Sequence, residues 1–338
     1  MSLPPPTIAD IVAAAERLKG RAVRTPLLRN DILDEATDAR VFLKPENLQK
    51  TGSFKFRGAF NAISSLSEAE RRAGVVACSS GNHAQGVAEA ARLLGVKATI
   101  VMPADAPSIK IERTCRSGAE IVTYDRASED RDAIAGEICQ RTGAAFIHPY
   151  DNSRVIAGQG TCGLEIAEDM AASGLTCDRL LVCTGGGGLT AGVSLAIHDR
   201  FPGAKIHTVE PEGFDDYRRS LEAGSRVAND RLTGSACDAL MSPMPGELSF
   251  AINRDHIDSG LAVSDEAAFE AMRFAFNELK LVVEPGGAVA LAALLEAGKR
   301  FAGETVACVL SGGNAGPAAY AAIIGAAVAG TANAEASA

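Results

Sequence analysis

Residues 75–103 read VVACSSGNHAQGVAEAARLLGVKATIVMP. The first run, VVACSS, is an apolar strand that ends in small polar residues. HAQGVAEAARLLG carries helical spacing and closes on Gly95, a residue suited to a left-handed helix cap. ATIVMP is a second apolar strand. The same alternation continues downstream with the helix IKIERTCRSG, stopped by glycine, and the strands AEIVTY and AAFIHP around a helix over 128–141. Apolar strands alternating with helices predict a parallel sheet covered on both faces. Upstream, IADIVAAAERL (8–18) is helical, VFL is a short strand ended by Pro45, and 56–65 is helical. A second unit begins after 151, with a helix over 159–173, the strand RLLVCT, the helix TAGVSLAIHDRF and the strand KIHTVEP. It continues through DEAAFEAMRFAFNEL and AVALAALLEAGK, both helices, to a late strand in TVACVLSGG. The expected class is α/β, with open parallel sheets in two lobes. A large lobe spans 1–73 and 152–325, a small mobile lobe spans 74–151, and the small, polar stretch over 326–338 is expected to be disordered. A cleft between the lobes is the natural ligand site.

Composition narrows the function. The chain has 338 residues, 47% hydrophobic, and a formal net charge of -9. That sign argues against non-specific binding to nucleic acid or to an anionic membrane. Aromatics make up only 5%, with no Trp, so a base-stacking platform is not expected. The eight cysteines contain no C-x-x-C pair and read as buried thiols in a reducing compartment. The N-terminus lacks the pattern of a signal peptide, and the most apolar run, AAYAAIIGAAVAG, is too short to span a bilayer. A cytoplasmic protein acting on a small molecule is expected.

Four segments carry candidate chemistry. In KPENLQKTGSFKFRGAFNA, Lys55 sits between Phe54 and Phe56. Apolar surroundings lower an amine's pKa and let it hold an aldehyde as a Schiff base, although a loop lysine on the surface has the same local sequence. Ser80, Gly81, Asn82 and His83 join a strand to a helix, where free N–H groups bind an anion such as a substrate α-carboxylate, or where the polar side chains simply cap. Gly185, Gly186, Gly187 and Gly188, followed by Leu189, open a helix after RLLVC. Consecutive glycines cost backbone entropy and make sense where several N–H groups wrap a phosphate, with a tight structural turn as the alternative. The loop lacks the Walker lysine and fits only the looser G-x-G-x-x-A form of the dinucleotide fingerprint. Ser311, at the carboxyl end of VACVL, can donate to a ring nitrogen or simply belong to another turn. Glu210, Glu212, Asp215 and Asp216 cluster in a loop after KIHTV, where oxygen ligands suit a hard divalent cation or simply face solvent. Aldehyde, phosphate, carboxylate and ring nitrogen together describe pyridoxal 5'-phosphate with an amino-acid substrate.

On these residues the sequence resembles the serine/threonine dehydratase and serine racemase family of fold-type II pyridoxal-phosphate enzymes. The motifs KPENLQKTGSFKFRGA, SSGNHAQG, TGGGGLTAG, VEPE, EPGGAVALAAL and SGGN occur in order over roughly 8–320. The resemblance implies a tryptophan synthase β-like fold in a homodimer, with a small lobe that closes on substrate. It makes Lys55 the lysine that holds the cofactor, Phe54 the residue packed on the ring and Asn82 the ligand of its 3-hydroxyl. Gly185 to Leu189 become the phosphate cup, and Ser311 the partner of the pyridine nitrogen. Ser80, Gly81, Asn82 and His83 become the carboxylate loop, with Ser80 also matching the second acid/base of racemases. Glu210, the Phe214 carbonyl and Asp216 become a divalent-metal site for magnesium, calcium or manganese. No room is left for the C-terminal regulatory domain of biosynthetic threonine deaminases, so catabolic use is expected.

The activity this implies is L-threonine/L-serine dehydration, which loses water and then ammonia to give a 2-oxo acid. Within the family the alternatives are 3-hydroxyaspartate dehydration and serine racemisation. A second carboxylate needs a cation of its own, and Arg131 lies where the related racemase has an arginine able to reach one. A surface salt bridge to Glu129 or another acid is the competing reading of Arg131. Outside the family, a nicotinamide oxidoreductase or a non-catalytic amino-acid sensor are the rivals. A visible chromophore bleached by borohydride separates the first, and ammonia release separates the second.

Overall fold

The computed structural model describes residues 4–326 apart from residue 107. The stretch 327–338, nearly all of the segment expected to be disordered, lies outside the described residues.

Nine strands form two parallel sheets among the described residues: β1 (Arg40–Pro45), β2 (Val75–Cys78), β3 (Ala98–Pro103), β4 (Glu120–Tyr124), β5 (Ala145–Phe146), β6 (Arg179–Cys183), β7 (Lys205–Pro211), β8 (Ser259–Val263) and β9 (Thr305–Leu310). The larger sheet has the order β1-β9-β6-β7-β8 and the smaller β4-β3-β2-β5. The smaller sheet is therefore built from contiguous chain, whereas β1 must wait for β9 to reach it.

Both sheets bury both faces, as near-continuous apolar strands require. On β9, Val306, Cys308 and Leu310 enter a core with helices Asp265–Leu279 and Pro285–Ala297, while Ala307 and Val309 enter another with helices Ser153–Ala172 and Gly188–Arg200. On β2, Val75 and Ala77 face the helices Lys55–Ser64 and Asn82–Leu94, while Val76 and Cys78 face the helix Arg131–Thr142. The side-chain period of two thus divides each strand between two cores.

Several helix starts differ from the sequence expectation. The helix expected over 128–141 runs Arg131–Thr142, because the Asp130 carboxylate caps it by accepting from the N–H groups of Asp132 and Ala133. The helix expected over 159–173 begins at Ser153, capped by Asn152. Its early glycines are contact points rather than breakers. A Cβ on Gly158 would sit 2.7 Å from the Arg57 carbonyl oxygen, and one on Gly192 would sit 2.3 Å from that of Ile156. The helix is thereby clamped backbone to backbone between the Lys55 and Gly188 helices. The helices Glu247–His256 and Asp216–Ala223 and the strand β8 were not anticipated. Of the cysteines, Cys115 is exposed and Cys139 half-buried, against the expectation that all are buried.

Among the described residues no helix is long and apolar enough to cross a membrane.

Candidate active site

Lys55 is the first residue of its helix, and its approach is fixed by the end of β9. Ser53 bridges Gly312, the Phe54 N–H donates to the Ser311 carbonyl at 3.2 Å, and the Gly313 N–H donates to the Gly52 carbonyl at 2.9 Å. Thr51 and Gly52 take positive φ values of 60° and 72°, turning the chain into this pairing. Lys55 and Ser311, 256 positions apart, are thus brought together by backbone hydrogen bonds. The Lys55 amine donates to the Pro149 carbonyl at 2.8 Å and lies 5.0 Å from the centre of the Phe54 ring. Burial lowers its pKa from 10.5 to about 8. Roughly a tenth of such an amine is neutral at pH 7, against a few parts in ten thousand for a free lysine.

The glycine loop joins β6 to the Gly188 helix. Its carbonyls are pulled towards the helix Glu247–His256. Ser249 Oγ donates to the Gly186 carbonyl at 2.6 Å, and Asn253 Nδ2 donates to that of Gly187 at 3.1 Å. No N–H from Gly185 to Gly188 donates to another described residue, and the helix has no side-chain cap. Gly187 has φ +89°, and a Cβ there would meet the Tyr217 hydroxyl at 2.0 Å. A Cβ on Gly186 would meet the Tyr150 ring at 2.3 Å. Leu189 is buried behind the loop. Free N–H groups at a helix start, backed by an apolar floor, fit a phosphate.

The loop after β2 has the same character. The N–H groups of Asn82 and His83 open the helix Asn82–Leu94 without a side-chain cap, and the Gly81 N–H is held by Ser79 Oγ at 3.1 Å. Ser80 is half-buried beside them. The His83 ring is buried, with Nε2 2.8 Å from the Ile147 carbonyl. Burial, with the Lys55 charge adding to it, lowers its pKa to about 3, so the ring is neutral and donates from Nε2. What His83 offers the cleft is its backbone N–H. The Asn82 amide donates to Glu284 Oε1 at 2.5 Å and accepts from Asn314 Nδ2 at 2.8 Å. Ser311 is buried at the end of β9.

Arg131 begins the helix Arg131–Thr142. Its side chain is 48% exposed and pairs with Asp132 at 3.9 Å, which is the surface salt bridge to another acid that stood as its competing reading. The competing partner, Glu129, is spent on the Asp125 N–H at 2.7 Å. Burial raises the Tyr150 pKa and lowers that of His148; the Arg131 charge pulls both down, and the charge of its partner Asp132 pushes both up.

The acidic cluster is only partly a loop. Asp216 begins a helix, and the Glu210 carboxylate accepts from the N–H groups of Tyr217 at 2.8 Å and Arg218 at 2.9 Å. Asp215 pairs with Arg218 and Arg219, and Glu212 is exposed. Phe214 is fully buried, with Arg231 over its ring. No group of three or more His, Cys, Asp or Glu is assembled for a metal among the described residues. Two carboxylates and one carbonyl remain, and the carboxylates fit a cation. Asp216 Oδ2 is buried without a partner. Burial, then the Asp216 charge, raises the Glu210 pKa well above normal, and burial raises that of Asp216 to about 7. A divalent ion between them would remove that penalty. Tyr217, beside Asp216, hydrogen-bonds Ser249 and Asn253, so this acid pair abuts the phosphate loop.

Four groups at the site escaped sequence reasoning: Pro149, Tyr150, Asn253 and Glu284. Only Glu284 left a signal, as the acid of EPGG.

The chain matches the family described as "Pyridoxal-phosphate dependent enzyme" over residues 19–312. It is 45% identical over 315 residues to an L-threo-3-hydroxyaspartate ammonia-lyase from a Pseudomonas species, covering 93% of this chain and 97% of that one. It is 40% identical to the serine racemase of Schizosaccharomyces pombe, covering 91% and 94%. Among solved structures, a T.th. threonine deaminase superposes with a TM-score of 0.86 at 44% identity, covering 92% of this chain and 99% of that one. With the family model and these relatives spanning most of its length, the chain belongs to the fold-type II pyridoxal-phosphate enzymes as a cofactor-dependent lyase.

Proposed function

We propose that the chain is an ammonia-lyase for 3-hydroxyaspartate, in place of the threonine and serine that the motifs first point to. The observation that carries this reading is Arg131, a half-exposed guanidinium at the start of the helix Arg131–Thr142 that is held only by a long contact to Asp132 at 3.9 Å. Threonine and serine have no second carboxylate to offer such a cation, whereas that of 3-hydroxyaspartate matches it. The name of the Pseudomonas relative supports the same substrate.

The reaction balances as loss of water followed by hydrolysis. The substrate loses its Cα proton and β-hydroxyl as water, and the resulting enamine takes up water to give oxaloacetate and ammonia. When bound, pyridoxal phosphate supplies the electron sink for the electrons left at Cα. The chain's own residues do the rest. The Lys55 amine, with its lowered pKa, accepts the Cα proton at Nζ. The N–H groups of Asn82 and His83 bind the α-carboxylate, and Arg131 binds the distal one. The N–H groups from Gly185 to Gly188 hold the phosphate. Ser311 meets the ring nitrogen with a neutral hydroxyl, which leaves that nitrogen without a full positive charge.

The test is kcat/KM for the 3-hydroxyaspartate stereoisomers, L-threonine and L-serine, with ammonia and oxo acid both measured. Hydroxyaspartate should be preferred, and R131A should lower its kcat/KM on the order of 10- to 100-fold, the worth of a charge-assisted pair, while changing threonine turnover little. Preference for threonine with R131A silent would restore the threonine/serine reading.

A further inference from the structure

Glu284 is a buried carboxyl that no step above uses. It precedes the helix Pro285–Ala297, and its N–H donates to the Gly312 carbonyl at 3.0 Å. A Cβ on Gly312 would lie 2.2 Å from Glu284 Oε1, so the glycine after Ser311 leaves room for this carboxyl. Oε1 accepts from Asn82 Nδ2 at 2.5 Å.

The other half of the arrangement is Asn314. Its Nδ2 donates to the Thr51 carbonyl at 2.7 Å and to Asn82 Oδ1 at 2.8 Å, and its Oδ1 accepts from Arg113 at 3.2 Å. All these bonds are lost if that amide turns over. Asn314 therefore presents an N–H to Asn82, and Asn82 must answer with its oxygen. Its NH2 must then face Glu284, which only accepts when ionised. One N–H of Asn82 remains. The helix that carries it packs against Lys55, for a Cβ on Gly86 would lie 3.1 Å from the Lys55 carbonyl carbon.

We propose that Glu284 is a positioning residue that, together with Asn314, locks the Asn82 amide so that it offers an N–H and never its carbonyl to the ring oxygen of the cofactor, holding that oxygen in its deprotonated form. The proposal rests on the reading of Asn82 as the ring-oxygen ligand and is independent of which substrate is used. An N–H donor favours an acceptor oxygen, whereas a flipped amide would favour a hydroxyl. The charged groups facing Glu284 are Asp238 and Lys110, themselves paired at 2.7 Å. Burial raises the Glu284 pKa to about 7, opposed by the bond from Asn82, so its demand for a donor is strongest once it ionises.

The experiment compares the visible spectrum and cofactor dissociation constant of the holoenzyme with those of N82A, E284A, E284Q and N314A, alongside apoprotein melting. In E284A the ratio of the band of the deprotonated ring oxygen to that of the protonated one should fall. Cofactor binding should weaken about 5- to 10-fold, as loss of one hydrogen bond in the set implies. N314A should shift the ratio the same way by freeing the Asn82 oxygen. E284Q keeps a carbonyl acceptor and should restore the parent ratio. A purely structural role would lower melting without moving the ratio. The proposal is overturned if N82A shifts the bands while E284A and N314A do not, or if E284Q shifts them as far as E284A. Bands unchanged in N82A would instead overturn the reading of Asn82 on which the proposal stands.

Discussion

The Lys55 amine donates to the carbonyl oxygen of Pro149, in the segment that leaves the smaller sheet through β5 and enters the helix Ser153–Ala172. The same short segment lays the Tyr150 ring against Gly186 and sets the His148 tautomer, because His148 Nδ1 accepts from the Asp151 N–H at 2.8 Å. The lysine and the phosphate loop are therefore registered against one connection between the sheets.

Lys55 gives the first prediction. K55A should lack the visible chromophore and turnover, and an unchanged rate would remove Lys55 from the mechanism. Apoprotein stability offers an independent check. A lysine whose folded pKa is lowered to about 8 contributes stability present above its unfolded value of 10.5 and lost as pH falls through 8. At pH 7 the buried charge is a cost, so apo-K55M should melt above the parent. The gap should narrow as pH rises from 7 towards 10.5. A gap independent of pH would contradict the shift.

Ser80 gives the second. It is half-buried on the loop between β2 and the Asn82 helix, where the second proton donor of a racemase stands by resemblance. S80A should reduce exchange between L- and D-serine far more than elimination from the preferred substrate. Proton transfer by a positioned group is worth roughly 100-fold or more. Equal losses in both reactions would assign Ser80 to carboxylate binding alone.

The third concerns the acid pair. Asp216 has its folded pKa raised from 3.8 to about 7, so its contribution to stability is present below 3.8 and lost as pH rises through 7. Glu210 shifts in the same direction. Demetallated protein should therefore lose melting temperature between pH 5 and 8, and magnesium should restore more of it at pH 8 than at pH 5. D216N should abolish the magnesium response. A magnesium response that is absent, or equal at both pH values, would refute the site.

Asp151 gives the fourth. Its carboxylate accepts from the N–H groups of Glu247, Leu248 and Ser249 at 3.0, 2.8 and 3.1 Å, capping a helix from 96 positions away. D151A should cost about 1–2 kcal/mol in urea unfolding, the usual worth of an N-cap. Since Ser249 and Asn253 on that helix hold the glycine loop, cofactor affinity should fall as well. A stability loss with unchanged cofactor affinity would uncouple the cap from the loop.

That remote cap also explains a gap in what the sequence reveals. The helix Glu247–His256 follows Gly246, which has no side chain to cap with, so its local start signal is weak and rests on that glycine and on Glu247 in the first turn. By contrast, KIHTVEP and DEAAFEAMRFAFNEL coincide with β7 and with the helix Asp265–Leu279, which carries its own cap at Ser264. The glycines of the Ser153 helix carry no local meaning, because their use, contact with two neighbouring helices, is tertiary. Ser311 and the glycine loop were legible because each couples a special residue to a strand end, and Lys55 because it stands between two aromatic residues in a polar stretch. Pro149 and Tyr150 were not, because a carbonyl and a ring in contact with distant segments leave no pattern. Glu284 was visible only as part of a motif, since its meaning depends on Asn82, 202 positions away.

The register of β1 against β9 carries a consequence for biosynthesis. Arg40 pairs with Thr305 and Pro45 with Leu310, so the two strands that meet are made at opposite ends of translation. The contiguous sheet of β2 to β5 is complete once residue 146 has left the ribosome. The first strand of the larger sheet, however, stays without its neighbour until residue 310 has emerged. At roughly 5–20 residues per second, that interval lasts on the order of 10 to 60 seconds. Throughout it the apolar strand Val41, Phe42 and Leu43 has an unpaired edge, which is the condition that recruits chaperones and favours aggregation. The nascent chain is thus exposed at its oldest strand for most of its synthesis, and the lysine ten residues beyond that strand gains its backbone ties to Ser311 only as the last strand arrives.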